Sequence, residues 1–339
     1  MASSHSNAYT EKLLHIQAQQ WLSCCLYVAC KLNISDILSE GPKSLHDLAT
    51  ATDSHAPSLY RVLRALAGEG FFEETANGEF VMTPLAIGLT TNAPGTMKQY
   101  YQLCMGELYA PWGALLYSTQ TGKPSSNHIY QMDLWEYYTA HPDDALNFME
   151  SMTRLTQFTD QTVVAAYNFS QFNSIVDVGG GNGELLMAAL TIAPQLQGIV
   201  YDQPYVVEQT KRSIAARGLS DRCQALGGDF FQEVPPNADA YMMKLIMHDW
   251  HEPEAIRILH NCYKAMKPGS KLLIVDAVIP PPNIQHRGKL MDITMLTVTG
   301  GKERTAAEFK LLLEAAGLQF NKVIDLSVPD VSIVEGERI

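Results

Sequence analysis

Apolar positions divide the chain into two textures. From about residue 11 to 110 they recur at helical spacing, whereas beyond about residue 174 short apolar runs alternate with helical stretches. Leu13, Leu14, Ile16, Leu22, Leu26, Val28, Ala29 and Leu32 crowd one long segment that stops near Gly41-Pro42. They are too many for one narrow stripe, so this helix is expected to be buried, and a second subunit is one way to cover it. Ser44 followed by Asp47 predicts a capping box at a short helix. Pro57 opens the next helix, Leu59, Val62, Leu63 and Leu66 recur along it, and Gly68 and Gly70 end it. Two short strands around Asn77-Gly78 then predict a hairpin.

Helix, helix and hairpin make a winged-helix pattern. A DNA reader would need basic side chains on the second helix. Arg61 and Arg64 are there, but Glu69, Glu73, Glu74 and Glu79 follow, which favours a packing or dimerisation module. Residues 100–170 read as helical and aromatic, with Tyr100, Tyr101, Tyr109, Trp112, Tyr117, Trp135, Tyr137, Tyr138 and Phe158 available for core or for a pocket.

The second texture begins with a buried strand, a glycine turn and a helix, residues 174–190, the first βα unit of a doubly wound α/β sheet. A dinucleotide fingerprint needs glycines at relative positions 1, 3 and 6. Counting from Gly179 places Glu184 sixth, and counting from Gly180 places Asn182 third, so both fail. The pattern is Asp177, Gly179, Gly181, Gly183 at every second position. Glu184 beside the helix N-terminus discourages a pyrophosphate, and no Lys-Ser/Thr follows to make a P-loop. A sulfonium ligand with an amino-acid tail suits the turn better. Asp202 ends the next strand, where an acid hydrogen-bonds ribose hydroxyls, although a helix cap is its plainer reading. Asp229, after a third strand, can accept from an adenine amino group with Phe230 against the base. A fourth strand delivers Lys244, His248 and Asp249 to the same sheet edge, and a histidine at a strand end suits general-base work. His251 nearby leaves that assignment ambiguous.

Composition narrows the class further. The chain has 339 residues, 46% of them hydrophobic, and a formal net charge of −12. The length suits about two domains, and the acidity disfavours general nucleic-acid binding. No apolar run is long enough to span a membrane, and the polar start from Met1 to Thr10 is unlike a secretory signal. The cysteines at 24, 25, 30, 104, 223 and 262 include no Cys-x-x-Cys, so reduced thiols in a cytoplasmic protein are expected rather than disulfides or a metal site.

Five motifs stand in order along the chain. They are Asp177-Val178-Gly179-Gly180-Gly181-Asn182-Gly183, Val200-Tyr201-Asp202-Gln203-Pro204, Gly227-Gly228-Asp229-Phe230-Phe231, Lys244-Leu245-Ile246-Met247-His248-Asp249-Trp250 and Gly300-Gly301-Lys302-Glu303-Arg304-Thr305. Together they resemble the S-adenosylmethionine-dependent small-molecule O-methyltransferases of the caffeate, flavonoid, acetylserotonin and phenazine type. The resemblance covers nearly the whole chain. It implies a mainly α winged-helix dimerisation domain over residues 1–110. It also implies a Rossmann-like class I methyltransferase domain over 111–339, with a helical substrate-lining segment at 111–170. It further implies S-adenosylmethionine as cofactor, a homodimer, a small hydroxylated substrate, and neither a nucleic-acid nor a membrane partner.

By the same resemblance, Asp177, Gly179, Gly181, Asp202, Asp229, Phe230 and Lys244 lie at the cofactor. His248 is the base, and Asp276 and Glu303 orient it. Many plant members have Glu where this chain has Asp276, which is one methylene shorter, so that contact is expected to be lost or bridged by water. Met291, Met295 and Asp249 fall at substrate-lining positions, with core filling the alternative for each Met and a helix cap the alternative for Asp249. The implied chemistry is direct displacement without a metal. A phenol is the favoured acceptor because its pKa near 10 is within reach of imidazole, with a non-phenolic hydroxyl the alternative. A nicotinamide oxidoreductase and a ligand-responsive DNA-binding regulator are the competing classes.

Overall fold

A computed structural model describes residues 2–326 and 331–339; Met1, the side chains of residues 2–7 and that of Phe158 lie outside the described residues. The chain forms two compact units, residues 1–110 with 141–155, and residues 111–140 with 156–339. The stretch 141–155, which the sequence placed with the second half, therefore packs with the first.

In the first unit the opening helix runs Ala2–Lys31, and a short one, Ile34–Leu38, follows. Leu26, Ala29 and Cys30 are buried against Leu48, Leu59, Leu63 and Leu66 of the next two helices, Leu45–Ala51 and Ala56–Gly68. Strand β1 (Lys43–Ser44) pairs with β3 (Glu79–Met82), which also pairs with β2 (Phe72–Glu74) to form the wing. At the first of those helices Ser44 Oγ accepts from the Asp47 N–H at 3.1 Å and donates to the Asp47 carboxylate at 2.7 Å. The expected box thus closes hydroxyl to carboxylate, not carboxylate to backbone. On the same unit Tyr9, Leu13, Leu14, Ile16 and Trp21 remain exposed, so this chain alone does not cover the apolar helix.

In the second unit a seven-stranded sheet has the order β6-β5-β4-β7-β8-β10-β9. The strands are β4 (Ser174–Val178), β5 (Gln197–Asp202), β6 (Cys223–Gly227), β7 (Ala240–Lys244), β8 (Lys271–Asp276), β9 (Gln319–Asp325) and β10 (Ser332–Glu337). All neighbouring pairs from β6 to β8 are parallel, and β10 is antiparallel to both β8 and β9. Both faces are covered, as the apolar runs require. Ile175, Met242, Leu273 and Val275 point into one core layer, and Val176, Tyr241, Leu272 and Ile274 into the other. The chain winds from β4 outward through β5 to β6, then returns to place β7 on the other side of β4. Ligands of such sheets bind beyond the strand ends at that switch point.

Close packing at the sheet edge sets one stability expectation. A Cβ on Gly228 would lie 2.1 Å from the Tyr201 hydroxyl, which donates to the Glu233 carbonyl at 2.8 Å. Gly228→Ala is expected to destabilise the protein by roughly 1–3 kcal/mol through overpacking. A thermal melt reads this, and an unchanged midpoint contradicts the packing described.

Candidate active site

The glycine turn is shaped by backbone conformation. Gly179, Gly181 and Gly183 have φ of 70°, 55° and 78°, the left-handed region that favours glycine. These are the three glycines of the alternating pattern. A Cβ on Gly180 would lie 2.7 Å from the Asp177 carboxyl carbon, whereas one on Gly181 would meet nothing within 4 Å. The turn therefore sits on Asp177 and is open on its other side. Asp177 is 2% exposed, its Oδ1 has no hydrogen-bond partner, and burial pushes its pKa up to about 7 despite Lys244.

Asp202 stitches the turn to β5. Its Oδ2 accepts from the Gly181 N–H at 2.7 Å and its Oδ1 from the Gln203 N–H at 2.6 Å. Burial raises its pKa, and the two backbone bonds partly offset that. Gln203, not Asp202, precedes the helix Pro204–Ala216, so the simple cap reading of Asp202 fails. Asp229 accepts from the Phe231 N–H at 2.8 Å. The Phe230 ring comes within 3.6 Å of where a Gly179 Cβ would be. Trp250 stands edge-on to Phe230 and Phe231, with centroids 6.0 and 4.7 Å away, and Trp135 stacks on it at 6.4 Å. Glu184 is ion-paired with Arg217. Its field at the turn is thereby offset, and glycine spacing alone carries the argument against a pyrophosphate.

These residues fit an adenosyl ligand with an amino-acid tail. A glycine backbone permits close approach, a carboxylate ends the neighbouring strand, and an aromatic ring follows an acid after the third strand.

The second cluster centres on His248, which is 7% exposed in a short turn, Met247–Asp249. Its Nδ1 is 2.8 Å from Glu303 Oε1. Asp276 is fully buried and stands 3.9 Å from Nδ1, beyond hydrogen-bond reach, while its Oδ2 accepts the Met247 N–H at 3.2 Å. Asp249 Oδ1 is 3.9 Å from Nε2 on the other side of the ring. Burial presses the imidazole pKa down, but Asp276, Asp249 and Glu303 outweigh it and carry it up to about 10. Burial also raises Asp249 to about 6 and Asp276 to about 7, with His248 opposing both. The residue before the helix Glu252–Ala265 is His251, so Asp249 is not that helix's cap. Met295 is buried in the last turn of the helix Gly288–Val298 and Met291 is half-buried in the same helix.

Three residues that sequence reading passed over frame this cluster. Arg304, fully buried, donates to the Met247 carbonyl at 2.6 Å and to the Trp250 carbonyl at 2.8 Å, so it grips the loop on both sides of His248. Asp292 accepts the Glu303 N–H at 2.9 Å. Gly301 lies so close that a Cβ there would be 1.9 Å from the His248 carbonyl oxygen. Arg304 directly follows Glu303, and an arginine inside a motif otherwise read for its acid was the available signal. Ser125 and Ser126 further anchor the segment by donating to the Thr297 and Val298 carbonyls at 3.2 and 2.6 Å.

Comparison with known proteins identifies the family. The O-methyltransferase domain family matches residues 112–319 and the O-methyltransferase dimerisation domain matches residues 14–92. The chain belongs to the O-methyltransferase family, whose methyl donor is S-adenosylmethionine. It is 39% identical over 327 residues to the phenazine O-methyltransferase PhzM of Lysobacter antibioticus, covering 96% of each chain. The crystal structure of LaPhzM superposes with a TM-score of 0.94 at 38% identity, covering 98% of this chain and 99% of that one. NcsB1, an O-methyltransferase from neocarzinostatin biosynthesis solved with S-adenosylmethionine and 2-hydroxy-5-methyl naphthoic acid, has a TM-score of 0.84 at 30% identity, covering 94% and 96%. The chain is also 31% identical over 297 residues to an 8-amino-8-demethylriboflavin N,N-dimethyltransferase of Streptomyces davaonensis, covering 86% and 85%.

The Gly301 contact sets an expectation for turnover. Gly301→Ala must push the His248 backbone aside, and displacement by about 1 Å costs on the order of 10²-fold in rate. Turnover is expected to fall by about that factor while affinity for S-adenosylhomocysteine changes little. Near-normal turnover contradicts the close approach.

Proposed function

We propose that the protein methylates a phenolic hydroxyl of a small aromatic metabolite, with His248 as general base. One observation carries the reading: a buried imidazole holds one nitrogen on Glu303 and is flanked by two further carboxylates. An ordinary imidazole, near 6.5, is a weak base toward a phenol near 10. The carboxylates raise His248 to about 10, which matches its proton affinity to that of a phenolate and strengthens the driving force for taking the proton, while the free base becomes available only as the pH rises. S-adenosylmethionine, when bound, supplies a methyl group on a positively charged sulfur. In this reading Asp202 holds its ribose, Asp229 and Phe230 its adenine, and Gly179, Gly181 and Lys244 the remainder. Nε2 of His248 takes the hydroxyl proton, and Glu303 holds Nδ1 so that the ring cannot turn. Asp276 steadies the Met247 N–H and adds negative charge to the site. Asp249, beside Nε2, faces the acceptor, and Met291 and Met295 are the candidate apolar contacts to its ring.

The dimerisation domain and the exposed Leu13, Leu14, Ile16 and Trp21 support a homodimer through the first unit. No helix among the described residues is long and apolar enough to cross a membrane. The six cysteines are free thiols, which suits a reducing compartment such as the cytoplasm. Relatives named as N-methyltransferases make a nitrogen on an aromatic compound the second reading of the acceptor.

A screen of hydroxylated aromatics with methyl-labelled S-adenosylmethionine tests the reaction. Labelled methyl ethers are expected, and label found only on nitrogen overturns the oxygen assignment. His248→Ala should cut turnover by about 10²- to 10⁴-fold and leave S-adenosylhomocysteine binding intact; near-wild-type turnover contradicts the base. In the wild type kcat/KM should rise with pH beyond the ordinary histidine range, because the base works only once Nε2 is free of its proton. Glu303→Gln removes a carboxylate that raises His248, so the rising limb should move to lower pH and its plateau should fall. A limb that stays in place contradicts the role of Glu303. Sedimentation equilibrium should give the mass of two chains, and a monomer at working concentrations contradicts the dimer.

A further inference from the structure

His248, Asp276 and Glu303 come from three separate stretches of chain, and Arg304 is tied to all of them. It follows Glu303 directly in the sequence. Its backbone bridges to Val278, and its carbonyl accepts the Ile279 N–H at 2.9 Å, just past Asp276 at the end of β8. Its side chain reaches the loop of His248, where the two terminal nitrogens donate to the Met247 carbonyl at 2.6 Å and the Trp250 carbonyl at 2.8 Å. A longer bond at 3.4 Å returns to the Lys302 carbonyl, so the guanidinium also spans Glu303. The Met247 carbonyl belongs to the peptide unit that joins Met247 to His248. Asp276 Oδ2 holds the Met247 N–H at 3.2 Å, so the residue before the imidazole is held at both of its polar backbone groups. Within the loop itself that carbonyl receives only a 3.5 Å bond from the Trp250 N–H. Arg304 therefore supplies the tighter restraint.

We propose that Arg304 is a positioning residue for the methyl transfer: it sets the backbone of His248 against Glu303, and with it the direction of Nε2. The inference rests on His248 being the base. Two features favour this role over packing alone. The first is shape. A guanidinium presents its donors in a rigid planar fork and can hold two carbonyls at once in a fixed relation, whereas an ammonium is a point charge on a flexible stem. The second is cost. Arg304 is fully buried, its Nε has no hydrogen-bond partner, and the acid paired with that nitrogen, Glu252, stands 3.8 Å away. A buried charge with imperfect pairing detracts from stability, and an apolar side chain of similar length would fill the space without that penalty. The arginine is thus a poor filler and a good clamp.

Arg304→Met and Arg304→Lys in the full-length protein test this. The readouts are turnover of an acceptor from the hydroxylated-aromatic screen, calorimetric titration with S-adenosylhomocysteine, and the nitrogen-15 signals of the His248 ring. In Arg304→Met turnover is expected to fall by about 10²-fold, as for about 1 Å of misplacement. Affinity for S-adenosylhomocysteine should stay within about twofold, and the His248 signals should shift as Nδ1 loses its alignment with Glu303. Arg304→Lys keeps the charge and can hold one carbonyl, so it should recover about tenfold of the loss, the worth of one charged hydrogen bond. Near-normal turnover in Arg304→Met overturns the proposal. So does a loss of turnover with the His248 signals unmoved, or one matched by an equal loss of S-adenosylhomocysteine affinity, since either marks a residue that only stabilises the fold. If Arg304→Met does not fold, Arg304→Lys carries the test through its own loss of about tenfold, and wild-type turnover or unmoved His248 signals overturn the proposal. His248→Ala run alongside separates the two readings. Near-wild-type turnover there removes the base and this proposal together, whereas a normal fall there beside full turnover in Arg304→Met removes this proposal alone.

Discussion

One buried imidazole shares its surroundings with three carboxylates, and the chemistry of the second unit follows from that crowding. Asp249, Asp276 and Glu303 all lie within 4 Å of His248 ring nitrogens. Withdrawn from water, like charges repel strongly, and a proton on the ring is the means of relieving them. The same crowding makes the imidazole a strong base. Only Glu303 is within hydrogen-bond distance of the ring, so it sets orientation, while the other two act through their charge.

Such a cage depends on backbone placement to a fraction of an ångström, and the fold provides this from several directions. Arg304 grips the loop at Met247 and Trp250, Gly301 lets its own loop approach His248 without a side chain between, and Asp292 fixes the Glu303 backbone. Thr305 then starts the helix Ala306–Ala315 with a complete capping box to Glu308. Glu303 and Arg304 are thus held between the sheet and a capped helix start. The ligand crevice is set separately, by the reversal of winding at β4, which puts the glycine turn and Lys244 side by side.

What the sequence made legible was local. The strand-turn-helix around Asp177 and Gly183, Asp202 and Asp229 at strand ends, the Asn77-Gly78 hairpin and the Pro57 helix start each express themselves within a few residues. What it hid was long-range. Arg304 meets Met247 across 57 positions, and Lys244 meets Asp160 across 84; no periodicity announces such contacts. The share of residues 141–155 in the first unit was hidden for the same reason, since a helix pattern does not say which core it joins. Glu184 was misjudged because its partner Arg217 lies 33 positions away. The unfilled apolar face of the first helix was visible in the sequence, and the single chain leaves it exposed.

The central claim is that buried carboxylates hold a proton on His248 far above the ordinary range. Nitrogen-15 NMR of histidine-labelled protein, with His248 assigned by its loss in His248→Ala, measures this directly in the ligand-free enzyme. The account predicts a ring that remains protonated through neutral pH and titrates well above the usual value near 6.5, toward about 10. A His248 ring that loses its proton at or below 6.5 would contradict it.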